Sequence, residues 1–197
     1  MNLPNKLTVF RILLVPIMVI IPFFNIEGEW LNVPITMWLI NAVFIIASIT
    51  DKLDGSIARS RNLVTTFGKF LDPIADKILV LAAMLLLVEM DKLPAWIPVI
   101  VLFREFVVSG YRLLEVEKGG KVVAASMWGK LKTVTQMIAI IIAFIDTNYY
   151  GAIFNMELTG FAFWINLAVT ILMTVSVIAT IFSGWDYIKN GKDLLKS

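Results

Sequence analysis

Four aspartates carry most of the chemistry open to this sequence. Asp51 and Asp54 stand three apart, and Asp72 and Asp76 four apart. Residues three or four apart share one face of a helix, so each pair presents two carboxylates side by side. Small residues accompany them: Gly55 lies four after Asp51, Ala58 four after Asp54, and Gly68 four before Asp72. Such positions let a ligand approach the backbone closely, and Arg59 can fork onto phosphate oxygens. The chain has no His and no Cys, which excludes imidazole catalysis, thiolate nucleophiles and disulfides. Any metal must sit on oxygen ligands, and the natural general base is a carboxylate. Four carboxylates drawn together cannot all stay ionised without compensation. Hard divalent cations supply it, namely Mg²⁺, Mn²⁺ or Ca²⁺. Two such ions about 3.5–4 Å apart are common where displacement occurs at phosphorus. A lone Asp-x2-Asp pair is often only a helix cap; two pairs with these companions are more than that.

Composition says what must position them. Of 197 residues, 59% are hydrophobic and 16% charged, with mean hydropathy +0.85. A soluble domain has about 45–50% apolar and about 25% charged residues, so both departures point to a bilayer. Disorder needs low hydrophobicity, and a net charge of +2 gives no reason to expect nucleic acid. Crossing the hydrocarbon takes about 20 residues. The uncharged runs 30–50 and 158–185 suffice alone; those at 12–26, 78–88, 93–103 and 133–145 become spans with charges at one end. The pattern predicts six helices, at 7–24, 31–60, 69–90, 93–117, 127–146 and 158–189. They fill the chain, so residues 1–197 are expected to form a single all-α membrane domain, an integral bundle of six transmembrane helices. Helices 2 and 3 are joined by a short loop and should be antiparallel neighbours, which lets all four carboxylates converge. Pro73 fits the first turn of helix 3 or else kinks it. Lys6 and Arg11 before an apolar stretch look like a signal peptide, but no small-x-small cleavage site follows, and the segment is expected to remain as the first span.

Six spans put both termini on one side. That side collects every Lys and Arg except Lys92, so by the positive-inside rule it is cytoplasmic. The expected location is the plasma membrane, with the reactive site facing the cytoplasm. The far side holds Lys92, Glu27, Glu29, Glu89, Asp91, Asp146 and Glu157, with Trp30, Trp96, Tyr149 and Tyr150 as an aromatic belt. Topology accounts for Lys189, Lys192 and Lys196, and solvation for Lys118 and Lys121. It does not account for Asp51, Asp54, Asp72, Asp76, Arg104 and Glu105, which fall inside helices. A charge near the bilayer centre costs about 2.5–3.5 kcal/mol. These groups should therefore face one another across a polar cavity lined by helices 1 to 5.

The order Asp-x2-Asp-Gly-x2-Ala-Arg-x8-Gly-x3-Asp-x3-Asp across residues 51–76 resembles the signature of the CDP-alcohol phosphotransferases, without departure, and the six-helix layout extends the likeness over the chain. Members are multi-pass, commonly dimeric membrane enzymes that move a substituted phosphoryl group from a CDP-linked donor to an alcohol and release CMP. The resemblance implies two divalent cations, Mg²⁺ or Mn²⁺, on Asp51, Asp54, Asp72 and Asp76, with Asp76 as base. It also implies that Asp54, Gly55, Ala58, Arg59 and Gly68 lie against the nucleotide. Asn5 and Thr8 are either ordinary helix caps or contacts to the donor.

The motif leaves the acceptor open. Helices 4 and 5 bring Arg104, Glu105, Arg112, Lys130 and Lys132 towards the cavity, and an acceptor bearing phosphate needs two or three cations. Three further patterns are Asn2 to Arg11, Arg104-Glu105 with Gly110-Tyr111-Arg112, and Gly129-Lys130-Leu131-Lys132-Thr133 with Gln136. They are similar to the branch of that family in which CDP-diacylglycerol meets glycerol 3-phosphate and yields phosphatidylglycerophosphate. That likeness implies Arg112, Lys132, Lys130 and Arg104 as holders of the acceptor phosphate. The same chemistry with inositol phosphate, serine or phosphatidylglycerol is an alternative. So is an intramembrane prenyltransferase, which leaves Gly55, Ala58-Arg59 and Gly68 unexplained. A cation transporter would need carboxylates reaching the far side, and helix 6 offers none.

Overall fold

A computed structural model describes residues 2–60, 66–117 and 126–190; the side chains of 3, 4, 52–60, 66, 67, 69, 70, 115–117 and 190 fall outside that description. Six helices make up the described chain: α1 (Leu3–Ile20), α2 (Ile35–Ser60), α3 (Thr66–Glu89), α4 (Trp96–Glu117), α5 (Met127–Ala143) and α6 (Gly160–Asn190). A 3-10 turn, Ile21–Phe24, extends α1. Each predicted helix is present, with ends shifted by a few residues. The ends of α1 and the start of α2 shift most, and α2 is preceded by a small antiparallel hairpin of β1 (Glu29–Trp30) and β2 (Val33–Pro34). Leu31 and Asn32 both take positive φ, 55° and 61°, the geometry of a tight hairpin turn. The indole of Trp38 then donates to the Trp30 carbonyl at 3.0 Å.

Local chemistry sets the other boundaries. Asn2 caps α1, its side chain accepting from the Asn5 amide at 3.2 Å, and Ser126 caps α5 by accepting from the Gly129 amide. Neither Asn5 nor Thr8 is a cap; both lie inside α1 and are buried. Helix α3 starts at Thr66, so Pro73 sits within it rather than in its first turn and deletes one helical hydrogen bond. At the other end, Asp91 adopts φ 55°, and the amides of Asp91 and Lys92 return to Val88 and Leu87, closing the helix by the usual left-handed C-terminal route.

Helix α6 packs along α5 and also against α4, while α1 lies against both α2 and α3. An apolar core runs through the bundle from Met18, Ile40 and Phe44 to Leu87, Ile140 and Met173. The same interior buries Thr8, Arg11, Asn41, Ser48, Gln136, Asn166 and Ser183, whereas Leu13, Ile17, Leu85, Phe103, Phe106, Trp164, Ile171 and Trp185 face outward. Apolar surface on this scale marks contact with a membrane or partner. The segments Asn5–Phe24 and Gly160–Lys189 are long and apolar enough to cross a membrane, and Ile35–Asp51 is a shorter apolar helix.

Candidate active site

The polar face of α1 organises the acidic site. Asn5, Thr8 and Arg11 recur every three residues and are all buried. The Thr8 hydroxyl donates to Asp72 Oδ1 at 2.6 Å, and Arg11 Nη1 lies 2.7 Å from Asp51 Oδ1. One turn of α1 thus holds a carboxylate from α2 and another from α3, which brings Asp51 and Asp72 to one place. Arg11 is wholly buried, whereas the Asp51 side chain keeps 39% exposure. A guanidinium so deep is tolerable only beside an anion, while the Asp51 carboxylate still reaches open space. Gly68 is buried at the start of α3, and Asp76 follows Asp72 by one helical turn. Asp54, Gly55, Ala58 and Arg59 belong to the last turns of α2, where the side chains lie outside the described residues.

Asp76 opens into a cavity of about 580 Å³ between α3, α4 and α5. Its lining combines an apolar part, Ile78, Leu81, Leu102, Phe106 and Met137, with a polar and charged part, Lys77, Arg104, Glu105, Ser109, Arg112 and Lys132. Such a lining suits an amphiphilic anion.

Glu105 is the hub of the charged part. Lys132 Nζ reaches its Oε1 at 2.6 Å, Arg104 Nη1 the same oxygen at 2.9 Å, and Lys77 Nζ lies 3.6 Å from its Oε2. Three cations around one carboxylate leave a local excess of positive charge, arranged but not neutralised. Lys77 also donates to the Ser109 hydroxyl. Arg104 threads between helices, donating to Ser183 of α6. A Cβ at Gly129 would stand 3.4 Å from Arg104 Nη2, and one at Gly184 3.4 Å from its Cγ, so the side chain runs closely past both glycines. Arg112 Nη2 donates to the Tyr187 hydroxyl at 2.9 Å.

Of the cations expected to face the acceptor, Arg104, Arg112 and Lys132 line this cavity. Lys130 is exposed on α5 and is not among the lining residues. Sequence reading counted Lys77 as a topology charge and Glu105 as an interior charge with no assigned part, and it passed over Ser109, Ser183 and Tyr187. A signal existed for the first two, each adjacent to a residue already singled out. Nothing in the apolar pattern of α6 pointed to Ser183 or Tyr187.

Asp51, Asp72 and Asp76 are hard oxygen donors of the kind divalent cations take; among the described residues, which leave out the side chain of Asp54, no three acidic side chains group closely enough to hold a metal ion.

A model of the CDP-alcohol phosphatidyltransferase family matches residues 1–180. The chain is 42% identical over 201 residues to the CDP-diacylglycerol–glycerol-3-phosphate 3-phosphatidyltransferase of Bacillus subtilis, covering 100% of this chain and 98% of the relative. Proteins of the same name are similar to it in Rickettsia typhi (36% identity, 95% of this chain and 96% of the relative) and in Haemophilus influenzae (35% identity, 98% and 95%).

Proposed function

The chain belongs to the CDP-alcohol phosphatidyltransferase family, and we propose that it moves the phosphatidyl group of CDP-diacylglycerol to glycerol 3-phosphate, giving phosphatidylglycerophosphate and CMP. The names of its relatives support this reading. So does one observation above all: Asp76 shares a cavity with the cationic cluster of Lys77, Arg104, Arg112 and Lys132.

In this reading Arg112 and Lys132 grip the phosphate of glycerol 3-phosphate, with Arg104 beside them. Two anchored cations fix the acceptor's orientation as well as its affinity. Its free primary hydroxyl then points at Asp76, which accepts the proton. The hydroxyl oxygen forms a bond to the phosphorus bearing diacylglycerol, and the bond from that phosphorus to the bridging oxygen breaks, releasing CMP. Asp51, Asp54, Asp72 and Asp76 would hold two divalent cations, Mg²⁺ or Mn²⁺, which when bound neutralise charge on the diphosphate. Asn5, Thr8, Asp54, Gly55, Ala58, Arg59 and Gly68 are assigned to the nucleotide side, with Thr8 also holding Asp72.

The membrane arrangement completes the proposal. Six spans with both termini and the cavity on the cytoplasmic side of the plasma membrane agree with the distribution of Lys and Arg. Acyl chains can then stay in lipid while glycerol 3-phosphate arrives from water. A homodimer is proposed on the family resemblance.

The test is an acceptor screen with purified protein and CDP-diacylglycerol, using glycerol 3-phosphate, inositol phosphate, serine and phosphatidylglycerol, with and without Mg²⁺ or Mn²⁺. CMP release with glycerol 3-phosphate, abolished by chelation and restored by metal, is the expected result. Release with another acceptor alone would reassign the cationic cluster. Pyrophosphate release from a prenyl diphosphate would replace the reaction altogether.

A further inference from the structure

Tyr187 lies on α6, a helix that contributes no residue to the cavity wall. Its side chain is buried, with 5% exposure, yet two cavity cations converge on it. The Arg112 guanidinium donates to its hydroxyl at 2.9 Å and lies 5.7 Å from the ring centroid. The Arg104 guanidinium lies 5.9 Å from the same centroid. These arginines are two helical turns apart on α4, about 12 Å at 1.5 Å per residue. Both charged ends nevertheless come within about 6 Å of one ring, where each gains from its aromatic electrons.

The two arginines are held differently. Arg104 also pairs with Glu105, donates to Ser183 and threads past Gly129 and Gly184. Arg112 is exposed, and a long exposed side chain samples many rotamers unless something fixes it. The Tyr187 hydroxyl is placed to do that.

We infer that Tyr187 is a positioning residue: its hydroxyl fixes the Arg112 guanidinium, and its ring steadies Arg104 and Arg112 beside the cavity as anchors for a phosphate monoester. This deepens the proposed function and rests on its assignment of the acceptor phosphate to this cluster. Tyr187 touches no reacting atom. It determines how much of the cationic cluster is in place before the acceptor arrives.

The experiment compares Tyr187→Phe, which keeps the ring and loses the hydroxyl, with Tyr187→Leu, which loses both, in the full-length purified protein. Tyr187→Phe should raise the acceptor KM about tenfold, the scale of one hydrogen bond to a charged group. The donor KM and kcat should stay within about twofold. Tyr187→Leu should raise the acceptor KM further. In an Arg112→Ala background, Tyr187→Phe should add little, because its partner is already gone. A general packing role would instead give additive losses. Stabilisation by inorganic phosphate, followed by thermal unfolding without turnover, should be weaker in Tyr187→Phe than in the wild type. An unchanged acceptor KM, an equal rise in both KM values, or full additivity with Arg112→Ala would overturn the inference. If the wild type turns over no glycerol 3-phosphate, the acceptor assignment falls, and the phosphate titration still decides the case of Tyr187 by itself.

Discussion

Arg11 of α1 and Asp51 of α2 form an ion pair of 2.7 Å in which one partner is fully buried and the other is more than a third exposed. The guanidinium is a fixed internal charge, and the carboxylate answers it while staying partly open to its surroundings. Thr8 does for Asp72 what Arg11 does for Asp51, so one face of α1 acts as a template for acids borne by its neighbours.

A double-mutant cycle tests the template. Arg11→Gln, Asp51→Asn and the double variant should be non-additive in thermal unfolding, with a coupling of about 1–2 kcal/mol. That is below the roughly 3–5 kcal/mol of breaking a fully buried pair, because solvent reaches Asp51 and screens it. Additive effects would show that the pair is incidental. Added Mg²⁺ should raise the melting temperature of the wild type through preferential binding to the folded state, and of Asp51→Asn less.

Asp76→Asn should abolish turnover while binding of CDP-diacylglycerol largely survives. The substitution keeps size and removes the proton acceptor. Product formation by the purified variant at the wild-type rate would remove Asp76 from the chemistry.

The cations and their hub should separate cleanly. Lys132→Ala or Arg112→Ala should raise the acceptor KM more than the donor KM, by about tenfold or more for a charged contact. Glu105→Gln removes the carboxylate that Lys77, Arg104 and Lys132 share. It should lower the melting temperature, and inorganic phosphate should restore more of that loss than it adds to the wild type, since the anion replaces the missing charge. Equal phosphate effects on both proteins would show that the three cations do not depend on Glu105.

The helices were legible from charge-free runs and from the acidic spacing, because both are periodic and local. The hairpin before α2 was not. Its turn is Leu31-Asn32, which lacks the glycine that ordinarily advertises a tight turn, and the following residues are apolar enough to read as helix. Consecutive helices let the acids of α2 and α3 be expected together; the contacts found run instead through α1, from Arg11 to Asp51 and from Thr8 to Asp72. Arg112 and Tyr187 are 75 residues apart, and Arg104 and Ser183 are 79 apart. No spacing rule joins α4 to α6; only packing does. Thr8 and Arg11 fall between: the sequence offers Thr8 as a cap or donor contact and Arg11 as a topology charge, because nothing in one helix says which acid it will face.

A pH prediction concerns the loop between α3 and α4. Partial burial pushes the Lys92 ammonium below its usual 10.5, and the nearby Asp146 carboxylate opposes that shift. A lysine whose proton is held less tightly when folded weakens the fold while it is protonated. That penalty is lifted as pH rises through the folded value towards 10.5. The melting temperature should therefore climb over that alkaline range relative to Lys92→Met, measured side by side. Parallel curves for the two proteins would dismiss the effect.

The same loop belongs to a polar knot. Lys92 Nζ donates to the Asp146 carbonyl at 2.8 Å, the Tyr150 amide returns to the Lys92 carbonyl at 2.9 Å, and Asn166 joins both Asp146 and Tyr149. It ties the ends of α3 and α5 and the start of α4 to α6, while the cavity beside Asp76 lies towards the other ends of the same helices. The bundle is thus pinned at both extremities, by this knot at one and by the inter-helix contacts of Thr8, Arg11, Arg104, Arg112 and Lys132 at the other.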